Sequence, residues 1–372
     1  MIKKILAIMF IAQLFVTPVF AEETDIYQKQ YEQAVGEQLS NGLPYETERF
    51  LDNNGLNPEN EGWVYNITPK NVFLHIFSFL KSGLKGPFVS SLSILAIILV
   101  SALISSNTIA QGVNDSVLYA TVICTAAVIC GPVFSTVQAA VSAMKGCAVF
   151  MTSFIPIFAV VVASSGAAAT AVSMSSLLLG AAQVVSYISN FAVMPLMSGY
   201  LSISLAASVS PVVQKSGVAD GIKKLSFWIM SLLTTIFIGI LSIQTAVSSS
   251  ADTLTVKTAK FLIGSSVPIA GTALSEALTT VTASVGILKA SVGIYGIVAS
   301  VVLFLPLVTE LFLWRIGLTL TASVADLFAV EKIPHLLRSA DSVLSVLIGI
   351  ILLTLALFVI SLAVILTVGK VQ

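Results

Sequence analysis

The chain has 372 residues, of which 56% are apolar and only 10% are charged, and its mean hydropathy is +0.99. A soluble globular domain carries about 25% charged residues, so this composition excludes a soluble protein and predicts a membrane protein. The formal net charge is zero, but ten acidic and only three basic residues fall within residues 22–70. The fold class that we predict is all-α, a polytopic helical bundle in the membrane.

The amino terminus has the pattern of a secretory signal peptide. Lys3 and Lys4 precede an apolar run over residues 5–16, and small residues stand at Val19 and Ala21. This pattern predicts a signal peptide over residues 1–21 with cleavage after Ala21, and an uncleaved anchor is the alternative. The segment that follows should then lie outside the cytoplasm.

Three regions are predicted after the signal peptide. Residues 22–70, with a net charge of −7, should form an acidic extracytoplasmic arm that is helical or partly disordered. Residues 71–86 alternate apolar and polar side chains at helical spacing, which indicates an amphipathic helix in the membrane interface. Residues 87–372 form the polytopic membrane domain.

Apolar runs near 20 residues, the length that crosses about 30 Å of hydrocarbon, predict seven to nine spans. The segment 261–290 is ambiguous. The basic loop 211–224 is predicted to be cytoplasmic because it holds Lys215, Lys223 and Lys224 against one acid. We place the spans near 88–105, 117–140, 146–164, 167–188, 191–209, 225–247, 291–309, 311–328 and 343–368.

Two parts of the membrane domain resemble each other. Met194-Pro195-Leu196 corresponds to Leu305-Pro306-Leu307, and Pro156 corresponds to Pro268 at a similar offset. These matches suggest an internal duplication of residues 145–247 and 257–369, an arrangement that is common among transporters. The two prolines Pro156 and Pro268 are candidate helix breaks.

Small side chains form a helical stripe over residues 272–300. Gly286, Gly293 and Gly296 lie on it together with Lys289. Small residues let helices approach closely in lipid, and a lysine among them indicates a partner helix, a wet cavity or an interface. The alternative is that small residues are simply abundant and that Lys289 snorkels near a helix end.

Three further charges lie within or beside apolar segments: Glu276, Glu310 and Arg315. Glu276 and Lys289 are about 140° apart on one straight helix and roughly 20 Å apart along its axis, so they cannot pair within that helix. Glu310 and Arg315 fall where two predicted spans meet. A tight turn or an interfacial position would account for both.

Enzyme chemistry is not indicated. The sequence has no His-Glu-x-x-His, no phosphate loop and no paired aspartates in a span. Cys124, Cys130 and Cys147 lie in or beside apolar runs, without the paired spacing of a metal site or a disulfide framework. We therefore expect no catalytic residues, no cofactor, no metal and no nucleic-acid partner.

The stretch from Asp252 to Gly271 has a specific pattern, in which Thr258 to Phe261 are followed by Gly264 and Pro268. Further motifs lie at Ile155-Pro156, Ala163 to Gly166, Phe191 to Leu196, Ile240 to Gln244, Ile287 to Lys289 and Val292 to Ile294. In residues and spacing these stretches are similar to the stage III sporulation protein AE family of endospore-forming Firmicutes. The resemblance is most specific from Asp252 to Gly271 and covers roughly residues 145–300.

This resemblance implies a role in endospore formation. It implies a polytopic, non-enzymatic subunit of a secretion-like channel complex in the mother-cell membrane around the engulfed forespore, where the other subunits of the stage III complex would be its partners. The duplication and the two prolines leave a second function open, that of a secondary transporter for a small solute.

Overall fold

The computed structural model describes residues 31–32, 35, 39–40, 42–59, 63, 81, 83–106, 111–209, 217–266, 271–328 and 332–367. The regular elements within these ranges are helices, which confirms the all-α fold class. In chain order the helices are α1 (Tyr45–Asn53), α2 (Lys85–Ser106), α3 (Gln111–Ser164), α4 (Ala168–Ile188), a π-helical segment (Ser189–Val193), α5 (Met194–Val209), α6 (Gly217–Ser266), α7 (Gly271–Leu327) and α8 (Lys332–Thr367).

The apolar segments are divided among fewer helices than the sequence suggested. Six helical stretches in the described part of the chain are long and apolar enough to cross a membrane. The predicted spans 117–140 and 146–164 both lie within α3, and 291–309 and nearly all of 311–328 lie within α7. The predicted spans 167–188 and 191–209 largely belong to one apolar helical stretch, Ala168–Ile203. Lysine and glutamate are good helix formers, so the helix continues through Lys145 and Glu310 between two apolar runs.

The longest helices exceed the thickness of a bilayer. α3 has 54 residues and α7 has 57. Straight helices of these lengths would run for about 80–85 Å, against a hydrocarbon core of about 30 Å. Pro132 and Pro156 lie inside α3 and Pro306 lies inside α7, where each removes a backbone hydrogen bond and favours a kink. Both helices must therefore extend beyond the hydrocarbon on at least one side.

Helices α3, α7 and α8 form the centre of the bundle. On α7, Gly293 lies against Leu366 of α8, while Arg315 of α7 pairs with Asp341 of α8. The residue numbers rise on one helix as they fall on the other, so α7 and α8 are antiparallel. Three stacked aromatic rings of α3 fill the space beside them: Phe150, Phe154 and Phe158, with neighbouring ring centroids 5.3 Å and 5.5 Å apart.

Two glycines of α7 stand where the three helices come closest. A Cβ at Gly296 would lie 2.5 Å from Cζ of Phe154 and 3.1 Å from Cδ1 of Leu362. A Cβ at Gly293 would lie 3.1 Å from Cζ of Phe158 and would collide with Leu366. The stripe of small residues thus faces helices of the same chain at these two positions, where side chains larger than hydrogen have no room.

The amino terminus of helix α4 contacts α6. The turn before α4 contains Gly166, whose φ of +87° suits a residue without a Cβ. No side chain of the preceding turn caps α4. Instead, the buried carboxylate of Asp252 on α6 accepts the backbone N–H groups of Ala169 and Thr170, at 2.7 Å and 3.0 Å. A negative charge at this end also complements the helix dipole.

The same face of α6 continues the polar contact with α4. The hydroxyl oxygens of Ser248 and Ser173 are 2.6 Å apart, and the Gln244 amide donates to the Ser173 carbonyl at 3.1 Å. With Asp252, these residues of α6 recur every four positions, which is one face of a helix. A hydrogen-bonded seam therefore joins α4 to α6.

Several predictions fall on residues that the structure does not describe. The signal peptide 1–21 and its cleavage after Ala21 lie outside the described residues, as do residues 71–80 of the predicted interfacial helix and Pro268. The division into arm, interfacial helix and membrane domain stays a prediction. So does the duplication: Pro195 follows a π-helical segment, whereas its counterpart Pro306 lies within the uninterrupted α7.

We expect Gly296→Ala and Gly286→Ala to shift stability in opposite directions. The new Cβ at 296 would overlap the Phe154 ring, and such overpacking costs about 1–3 kcal/mol. A Cβ at position 286 would meet no described atom from another part of the chain within 4 Å, so alanine there should stabilise α7 by about 0.5–1 kcal/mol. Thermal unfolding midpoints of the purified protein in detergent would measure both effects. Equal shifts at the two sites would contradict this packing.

We expect Asp252→Ala to destabilise the junction of α4 and α6. It removes both acceptors from the amino terminus of α4, and losing a helix cap costs about 0.5–2 kcal/mol. Asp252→Asn should fall between the alanine variant and the wild type because one oxygen acceptor remains. Thr253→Ala, next in sequence but exposed, is the matched control. The cap would be unimportant if the two alanine variants unfolded at the same temperature.

Candidate functional site

Lys289 lies on α7 within a stretch that could cross the membrane. Its side chain is only 5% exposed, and Leu288 and Val292 beside it in the sequence are also buried. A cation at such a depth is costly, so it persists only where polar groups or water compensate it. This part of α7 is therefore the first place to search for function.

Trp63 of the polar arm packs directly onto this part of α7. Its ring is 2% exposed, and its Nε1–H donates a hydrogen bond of 2.7 Å to Oγ of Ser291. The edge of the same indole faces Tyr295, with ring centroids 6.3 Å apart. Ser291 and Tyr295 are themselves buried. The arm is thus fixed to α7 within two residues of Lys289 along the chain.

A second part of the arm packs onto α3. Gly42, with a φ of +86°, comes so close that a Cβ there would lie 3.0 Å from Oγ of Ser153 and 3.2 Å from Cα of Phe150. Pro44 lies beside Gly146 of the same helix. The arm therefore bridges α3 and α7, two of the three central helices.

The arm also brings negative charge to this site. Leu51 of α1 is buried, which orients the short helix. Glu48 and Asp52 of α1 act electrostatically on Tyr295 of α7. The negative charge of the arm is thus felt at Tyr295, which lies six residues after Lys289 on the same helix.

Arg315 has a partner that the sequence did not reveal. Its Nε donates to Oδ1 of Asp341 at 2.7 Å and its Nη2 donates to Oδ2 at 3.3 Å. This two-point ion pair joins α7 to α8. Of the two positions that we considered for Glu310 and Arg315, the tight turn is wrong, since α7 continues through both residues, and Glu310 is partly exposed on it. The interfacial position stays a prediction.

The remaining predicted site residues are spread along the bundle. Gly286 is on α7 with open space beside it, whereas Gly293 and Gly296 are the points of closest helix contact. Pro156 lies inside α3, level with the aromatic stack. Glu276 is on α7, but its side chain is outside the described set. Lys289 and Glu276 do not form one site.

Sequence reasoning did not single out Asp252, Trp63 or Asp341 as site residues. The sequence held a usable signal for Asp252, because it is the one acid in the apolar stretch Lys224–Thr258 of α6. An acid within such a stretch almost always pairs with a polar group. For Asp341 the same signal was weaker, because this acid lies near the polar start of α8. The sequence held no such signal for Trp63, because the sequence of a polar arm does not show which helix its one indole contacts.

These groups connect helices and the arm to one another. No group of three or more His, Cys, Asp or Glu side chains that could hold a metal occurs among the residues that the structure describes. The three cysteines are free and range from exposed to buried. The site therefore consists of a buried cation, Lys289, and of hydrogen bonds that join the helices and the arm.

Comparison with known proteins agrees with the helical membrane architecture. Residues 62–369 match the family model of stage III sporulation protein AE. The stage III sporulation protein AE of Bacillus subtilis (strain 168) is 25% identical over 233 residues, which cover 62% of this chain and 58% of the relative. No solved structure matches the chain. Since the family match extends over most of its length, the chain belongs to the stage III sporulation protein AE family.

Proposed function

We propose that this stage III sporulation protein is a non-enzymatic subunit of a channel or secretion-like complex that links mother cell and forespore. It would reside in the mother-cell membrane around the forespore, together with the other subunits of the stage III complex. Family membership supports the role in sporulation, and the apolar helices support residence in a membrane. The complex would be needed for development after engulfment.

The use of buried polar side chains is the observation that carries this proposal. Asp252 is bound to the start of α4, Arg315 to Asp341 of α8, and Trp63 to Ser291 of α7. Each of these contacts joins two separate elements. A catalytic site would instead direct a nucleophile and a base toward one free space. Polar groups that hold helices together are what a structural subunit needs.

Lys289 is the residue for which we propose a working role. A lysine buried in a stretch that could cross the membrane is costly, and such a charge commonly marks a functional site. We propose that its charge acts in the assembled complex, facing another helix or a wet cavity beside the docked arm.

We expect Lys289→Leu to fail in sporulation while still entering the membrane. In a strain from which the gene has been deleted, development should stop after engulfment, and a wild-type copy should restore spores. The Lys289→Leu copy should give few more spores than the deletion strain. The amount of protein in the membrane fraction shows whether insertion is intact.

Lys257→Leu is the matched control for this experiment, since Lys257 is an exposed cation on α6. It should sporulate like the wild type. Normal spore numbers with Lys289→Leu would contradict a working role for that lysine, and a deletion strain that sporulates normally would contradict the proposed function.

A secondary transporter for a small solute is the second candidate. The π-helical segment Ser189–Val193 interrupts the helical run just before Pro195, and interrupted helices form the binding sites of many transporters. The enclosed space between α3 and α4, lined by Phe158 and Met174, measures only about 10 Å³, however. The helices around it are packed together and leave no room for a solute there.

Uptake into vesicles that contain only this protein distinguishes the two candidates. We expect no solute accumulation in such vesicles, with or without a proton or sodium gradient, because a channel subunit needs its partners. Empty vesicles give the background rate, and a known permease reconstituted in parallel shows that the vesicles are sealed. Gradient-dependent uptake by the lone protein would favour the transporter.

A further inference from the structure

An open groove lies between the first turns of α6 and the middle of α8. Its volume is about 780 Å³, within the range of about 300–1,000 Å³ that ligand pockets occupy. Lys224, Phe227 and Trp228 of α6 form one wall, and Ser345 and Val346 of α8 form the other. Nothing in the proposed function uses this groove.

The walls of the groove are apolar along most of its length. Phe227 packs against Gly349 of α8, where a Cβ would lie 3.0 Å from the ring. Trp228 keeps 61% of its surface exposed and Leu225 keeps 47%. Apolar surfaces of this kind, on a helix that could cross the membrane, suit the hydrocarbon chain of a lipid better than a water-soluble ligand.

One end of the groove is cationic. Lys224 is exposed, and the stretch of α6 that is apolar enough to cross a membrane begins at this residue and ends at Thr258. By composition, Lys224 therefore stands at the level of the lipid headgroups, and Trp228 stands one turn deeper, where tryptophan is enriched. Among the described residues, the lining of the groove includes this cation and no acidic side chain.

We propose that this groove binds an anionic phospholipid. The ammonium group of Lys224 pairs with the phosphate, and an acyl chain lies along Trp228 and Phe227 toward Val346. A cation at one end and apolar walls beyond it match the two parts of such a lipid. A small soluble anion would leave the aromatic walls uncovered, and an apolar helix of a second subunit would leave Lys224 without a counter-charge.

The test follows the fluorescence of Trp228 in vesicles. The full-length protein is reconstituted in phosphatidylcholine vesicles with brominated phosphatidylglycerol or, separately, brominated phosphatidylcholine, since bromine quenches tryptophan on contact. Subtracting the emission of the Trp228→Phe variant isolates the signal of Trp228. We expect half-maximal quenching at about fivefold less phosphatidylglycerol than phosphatidylcholine, the scale of one lysine at an anionic lipid surface.

Charge variants show whether the preference comes from the groove. Lys224→Gln should abolish the difference between the two lipids, and Lys224→Arg should keep it. Lys257→Gln is the matched control, because Lys257 is an exposed cation near the other end of the same stretch of α6. Equal quenching by both lipids in the wild type would overturn the proposal. An equal loss of the preference for phosphatidylglycerol in Lys257→Gln would overturn it as well. So would crosslinks from a photoreactive residue at position 231 to a second copy of the chain instead of to lipid.

Discussion

Helices in lipid gain nothing from burying apolar side chains, because the acyl chains around them are equally apolar. Their association depends on close van der Waals contact and on hydrogen bonds between helices. In this chain the close contact occurs where Gly293 and Gly296 of α7 meet Phe154, Phe158 and two leucines of α8. The aromatic rings of α3 occupy the volume that two side chains of α7 would otherwise fill. This contact brings α3, α7 and α8 together, and the positions of the other helices follow from it.

Polar contacts then fix which helices are neighbours and in which register. Asp252 ties α6 to the start of α4, and Arg315 with Asp341 ties α7 to α8. Closer to the connection between α7 and α8, Arg338 of α8 pairs with Asp326 of α7 at the surface, and Lys332 lies over the Tyr119 ring. An unpaired charge or N–H in hydrocarbon costs several kcal/mol, so an alternative register would leave these groups without partners. Small residues allow close packing, and the polar pairs select one arrangement.

The sequence predicted the class of fold and the importance of α7, because both depend on local composition. An apolar chain with few charges must form helices in a membrane, and a stripe of glycines on such a helix is expected to pack against another helix. It did not predict which surface the glycines face, since Phe154 and Leu362 are far from them along the chain. It also divided α7 into two spans at Glu310, because hydropathy alone cannot distinguish two short spans from one long helix. The docking of Trp63 on Ser291 depends on residues 228 positions apart and has no local signature.

The uneven burial of the helices indicates where a larger assembly would form. The apolar stretch of α7 is 61% buried, whereas those of α2 and α6 are only 22% buried. Burial at the centre leaves no room for another subunit beside Gly293 or Gly296, so the proposed partner contacts would use α2, the arm or the part of α6 away from the lipid groove. The family match begins at residue 62 and so includes Trp63 but not α1. The hydrogen bond that fastens the arm to α7 therefore lies within the matched region, and the acidic helix before it lies outside that region.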